Sequence, residues 1–102
     1  MRKAVVASGD QIAGYLTETD KEYQFIYDKN YLSGGQPISI SFPLRAEPYE
    51  SKELFNFFKG LLPEGEYLDI VSKVLKVDSN DSFGILIGTC GETIGTVTVH
   101  KA

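Results

Sequence analysis

A chain of 102 residues, 42% of them apolar, has material for one compact core but not for a cofactor domain beside a substrate domain, so a single domain over residues 1–102 is expected. Its formal charge of −4, with ten Lys and Arg scattered along the chain, argues against direct binding of nucleic acid, which needs clustered cations to displace counterions from phosphates. The only cysteine, Cys90, has no internal disulfide partner. No secretory leader opens the sequence and no apolar run approaches the roughly 20 residues of a membrane span, so the expected location is the cytoplasm and no membrane partner is expected.

In chain order, residues 2–7 and 12–17 are short apolar segments around Ser8, Gly9, Asp10 and Gln11, the composition of a hairpin turn. Residues 22–28 place Tyr23, Phe25 and Tyr27 on one face of a strand, and "DKNYLSGGQP" follows as a loop. In "PISISFPL", residues 37–44, Ile38, Ile40 and Phe42 alternate with Ser39 and Ser41, the pattern of a fourth strand with one buried face.

The period then changes. With Ser51 as N-cap, a helix would place Leu54, Phe55, Phe57, Phe58, Leu61 and Leu62 within an arc of about 160°, opposite Lys52, Glu53, Asn56, Lys59 and Gly60. Phe55 and Phe57 lie at the margins of that arc, where a residue can face a partner instead of the core, and Phe57 is the candidate for a partner surface. Pro63 suits the first position of a second helix reaching Val77, because it lacks an N–H that would be unpaired there, and Glu64 and Glu66 complement the helix dipole. That helix carries Tyr67, Leu68, Ile70, Val71, Val74 and Leu75 on one side and Glu66, Asp69, Ser72, Lys73 and Lys76 on the other. Asn80 or Asp81 caps a short third helix that Gly91 can end, and residues 93–101 return to alternation with Val97 and Val99 inward. The expected fold is α+β: an antiparallel sheet of about five strands with two main helices and one short helix packed on it.

No constellation of reactive residues stands out. Cys90 and His100 lack a recognisable orienting partner for a nucleophile–base pair. "DSNDSFGILIGT" opens like a calcium loop but has Phe83 where such loops need Gly and Thr89 where they need a bidentate Glu. "DSFG" has Ser82 in place of the metal-binding Asp of kinases, and "GTCGETIG" fits backbone geometry better than an anion nest. Glu64, Glu66 and Asp69 fit a helix start better than an acid–base site. No catalytic residue, cofactor or metal is expected, and the chain is read as no enzyme.

The ordered set "GDQIAGYL", "ISISFPL" with "PYES", "FFKGLLPEGE" and "DSFGILIGTCGETIGTVTV" resembles the N-terminal subdomain of HipA-type serine/threonine kinases of bacterial toxin–antitoxin modules, over almost the whole chain. It is similar to the small HipS proteins of three-gene HipB–HipS–HipT systems, in which HipT is a shortened kinase. The resemblance implies a non-catalytic, antitoxin-like partner that docks on a separate HipT-type kinase where the missing subdomain would sit and restrains it. A HipB-type helix-turn-helix protein would join through the complex. An assembly or folding module that binds the kinase without neutralising it is the alternative. The segment that characterises the family, Leu62, Pro63, Glu64, Gly65, Glu66 and Tyr67, is the one expected at the kinase. Relatives often carry a large aromatic directly after Pro-Glu-Gly. This chain has Glu66 there and then Tyr67, which leaves open whether a carboxylate opposes a basic surface or Tyr67 supplies the ring.

Overall fold

A computed structural model describes residues 1–89 and 97–102. Five strands form one antiparallel sheet in the order β4-β3-β2-β1-β5, with four helices between them in sequence. β1 (Arg2–Ser8) and β2 (Gln11–Glu18) make the expected hairpin, and Gly9 turns it at φ 60°. β3 (Tyr23–Tyr27) pairs with β2, and β5 (Val97–Lys101) pairs with β1, Val6 opposite Val99. Gly14 is required in β2, since a Cβ there would collide with the Ile26 carbonyl and the Phe25 ring. One face is buried along these strands: Ala4, Val6, Leu16, Phe25 and Val99 are fully enclosed. Of the expected last strand, residues 93–96 lie outside the described residues, as do Cys90, Gly91 and most of "GTCGETIG".

Residues 28–37 are not a plain loop. Asp28 accepts a hydrogen bond from the Asn30 N–H (3.0 Å) and starts α1 (Lys29–Leu32). Tyr31, buried in α1, stacks on Tyr27 at 5.9 Å between ring centroids.

Residues 37–44 correct the sequence reading, for they form turns rather than a strand. The backbone groups that a ladder would have paired are taken by one side chain: the Tyr27 hydroxyl accepts from the Ile38 N–H (3.1 Å) and donates to the Phe42 carbonyl. The Phe42 N–H bonds to the Ser39 carbonyl (3.0 Å) and closes a tight turn. Phe42 is buried as the alternation implied, but Ile40 is fully exposed at the tip. The fifth strand is instead β4 (Tyr49–Ser51), paired with β3 through Phe25 opposite Tyr49.

Ser51 is therefore a strand residue and caps no helix. The expected first helix shrinks to one turn, α2 (Asn56–Lys59), entered through an extended Phe55 with no side-chain cap. Tertiary packing explains the loss: Leu54 and Phe58 are buried, and Phe58 meets Phe25 and Phe42, each at 5.8 Å between centroids. Phe42 also meets Phe55 (5.2 Å) and Phe57 (6.1 Å), and these aromatics fix the chain more firmly than helix propensity at residues 51–62 would.

α4 (Ser82–Thr89) is capped by Asp81, whose Oδ1 accepts from the Gly84 N–H (3.2 Å). Arg2 grips the same carboxylate with Nη1 (2.9 Å) and Nη2 (2.7 Å) and reaches Glu18 through Nε (2.7 Å), tying β1, β2 and the start of α4 together. Its guanidinium also lies 5.0 Å from the Phe83 ring centroid. These hydrogen bonds from Arg2 hold the Asp81 carboxyl below its ordinary range.

Two outcomes follow from this packing. Phe58→Ala removes a fully enclosed ring and is expected to cost about 3–5 kcal/mol in urea denaturation, while the half-buried Phe57→Ala costs less. Because the folded pKa of Asp81 is depressed, its charge contribution is complete above about pH 4 and is lost as the pH falls through the folded value. The stability gap between wild type and Asp81→Asn, which retains a capping oxygen, should therefore stay constant from about pH 7 down to about pH 4 and narrow progressively at lower pH.

Candidate partner-binding surface

The corner after α2 is built by backbone constraints. Leu61 and Leu62 continue the turn with N–H bonds to the Phe58 (3.1 Å) and Lys59 (3.2 Å) carbonyls. Pro63 then stops it, since a residue preceding proline is pushed out of helical geometry. Glu64 is extended (φ −131°, ψ 161°) and Gly65 has φ 60°, after which α3 runs over Gly65–Leu75. The helix thus begins two residues later than the sequence indicates, with Glu64 rather than Pro63 at its threshold. Glu64, Gly65, Glu66 and Tyr67 are exposed, and Leu62 and Pro63 are half-buried. Among the described residues, neither Glu64 nor Glu66 forms an ion pair.

α3 does not bury the face that its pattern assigns to the core. Only Val71 is buried and Leu68 and Leu75 are half-buried, whereas Tyr67 (63%), Ile70 (58%) and Val74 (74%) are exposed. The physical reason is the helix's support. α3 leans chiefly on α4, where Leu75 approaches Gly88 so closely that a Cβ on Gly88 would meet its methyl group. One helix neighbour covers a strip, while the apolar arc of α3 spans about 160°, so its outer flank remains uncovered. With the corner, this flank borders an open groove of about 750 Å³ reaching from Leu62 and Pro63 past Tyr67, Ile70 and Val74 to Thr89.

Of the residues expected at a partner, Leu62, Pro63, Glu64, Gly65, Glu66 and Tyr67 form one continuous corner. Phe57 stands apart from the groove: it is half-buried, with its ring centroid 5.2 Å from that of Phe58, and lines a separate recess beside Phe42 and Tyr49. Ile70 and Val74 were not singled out by sequence, although an apolar arc wider than one neighbour can cover was the available signal. Cys90 lies outside the described residues, and His100 is exposed with Nε2 2.8 Å from the Thr98 hydroxyl. No group of three or more His, Cys, Asp or Glu that could hold a metal ion occurs among the described residues. None of their helices is long and apolar enough to cross a membrane.

Fold and surface together define a small α+β domain whose most distinctive exposed feature is the corner leading into α3. The chain belongs to the HipA N-terminal domain family, whose model matches residues 4–100. It is similar to a solved structure described as the N-terminal domain of HipA toxin, with a TM-score of 0.77 and 28% identity, covering 100% of this chain and 93% of that one. A Haemophilus influenzae protein described as uncharacterized is 30% identical over 91 residues, covering 89% of this chain and 84% of its own. The Sinorhizobium fredii protein named "Putative kinase Y4mE" is 33% identical over 90 residues, 85% of this chain but only 21% of its own length.

Gly65 tests how far the corner depends on its backbone. A Cβ there would have no atom within 4 Å, so only the left-handed conformation opposes substitution. Gly65→Ala is expected to cost about 1–2 kcal/mol and Gly65→Asn less, read from urea midpoints.

Proposed function

We propose that this chain is a non-catalytic, antitoxin-like protein that binds a separate HipT-type serine/threonine kinase in the position of a HipA N-terminal domain and restrains its activity in the cytoplasm. The observation that carries this reading is the match to Y4mE: a counterpart of this chain occupies only 21% of a protein named as a kinase, so the domain occurs joined to a much larger body. A HipB-type DNA-binding protein would belong to the same complex, bound through the kinase.

The corner suits the kinase side of such a complex. The α3 start presents Glu64 and Glu66 to solvent beside Tyr67, with half-buried Leu62 and Pro63 behind them. Kinase nucleotide sites concentrate Lys side chains and backbone N–H groups to hold phosphates, so two exposed carboxylates meet a complementary potential there. With Glu66 and Tyr67 both exposed, charge and ring act side by side. Phe57 contributes by supporting the corner from the aromatic cluster.

Glu64→Lys combined with Glu66→Lys is expected to weaken binding to a purified HipT-type kinase by about tenfold or more and to release its activity. Lys21→Glu, in the β2–β3 turn, should do neither, and circular dichroism should show both variants folded. Unchanged binding and restraint by the folded double variant would count against the corner. Binding by wild type without restraint would assign the chain an assembly role instead.

A further inference from the structure

The uncovered flank of α3 carries a charge pattern as well as an apolar stripe. Tyr67, Ile70 and Val74 recur at intervals of three and four, the spacing of a two-helix seam. Glu66 and Lys73 are seven residues apart and lie along the same border of that stripe, both exposed and neither in an ion pair among the described residues. Glu64 and Asp69 add negative charge to the first half of the helix, and Lys76 adds positive charge at its end. A helix with acids on its first half and bases on its second is complementary to a copy of itself running the other way, whereas a parallel copy would oppose like charges.

We propose that a second copy of this chain docks on this flank, the two α3 helices packing antiparallel about a two-fold axis. In that register Tyr67 faces Ile70 of the second copy, Val74 enters the groove at Leu62 and Pro63 of the second copy, and Glu66 of each copy lies beside Lys73 of the other. The arrangement is isologous, so it closes at two copies. Each contact made by one copy is made again by the other, which doubles the effect of any change in the seam. Three exposed apolar side chains per copy make a small interface, so the expected Kd is on the order of 100 µM. The pairing goes beyond the kinase reading and stands without it. Because Leu62, Pro63, Glu66 and Tyr67 belong to both surfaces, on that reading a kinase and a second copy exclude each other.

Sedimentation equilibrium of the full chain alone, from about 10 µM to about 1 mM, tests the proposal without a kinase, so its failure leaves the kinase reading untouched. A monomer–dimer equilibrium is expected that weakens with added salt. Glu66→Lys and Lys73→Glu should each raise the Kd about fivefold or more, because each turns two attractive pairs repulsive, and the double exchange should bring it back to within about twofold. Ile70→Glu should abolish the dimer while circular dichroism remains that of the folded chain. A monomer throughout the range, a dimer that survives Ile70→Glu, or a double exchange no better than either single change would overturn the proposal.

Discussion

The hydroxyl of Tyr27 decides where the chain goes after the third strand. Tyr27 is buried at the end of β3 and pushed up in pKa by that burial, so its O–H remains a neutral donor and acceptor. It uses both capacities on one backbone segment, holding the Ile38 N–H and the Phe42 carbonyl. A buried phenol without partners would be costly, and a segment held at two points by a side chain has no need of a strand ladder. Residues 37–44 are thereby folded into turns, Phe42 is delivered to the core and the free edge of β3 is left for β4.

Much of the helical layer depends on that delivery. Phe42 lies between Phe25 of the sheet and Phe55, Phe57 and Phe58 of the α2 region, so a ring from a turn fills the space that a longer helix would otherwise cover. With α2 reduced to one turn, the corner at Pro63 projects from a short, well-anchored support. On the other side of the sheet order, Arg2 clamps the start of α4, and α4 in turn carries α3. The sheet and aromatic cluster are densely packed, while α3 rests on a narrow strip. Regions with few buried apolar contacts open at lower free energy, and such regions can exchange partners at least structural cost.

This division matches the place of the chain within the HipA N-terminal domain family. A module that sits against a larger body needs one rigid part to hold its shape and one surface left unfinished. Here the unfinished surface is the corner with the outer flank of α3: carboxylates without ion pairs among the described residues, an exposed tyrosine, and an apolar stripe that the domain itself does not cover. On the two proposals made for it, the same physical features serve a kinase and another copy of the chain.

Local pattern was enough to give the hairpin, the inward faces of β3 and β5 and the α+β class, and to narrow the cap of α4 to Asn80 or Asp81, because alternation, turn glycine and capping chemistry act over a few residues. It also marked the corner, since proline and glycine impose their backbone limits wherever they stand. Three features needed the tertiary structure. Ile38, Ile40 and Phe42 alternate as a strand does, yet the Tyr27 hydroxyl, distant in sequence, outcompetes the ladder. The six apolar residues at 54–62 have a helical period, yet aromatic packing against Phe42 retains only one helical turn. Ile70 and Val74 share the apolar side of their helix with Val71, yet whether an apolar stripe is buried depends on how many neighbours the fold brings to it, and among the described residues α3 leans chiefly on one, α4. Periodicity states which residues share a face; only the assembled fold decides what, if anything, that face meets.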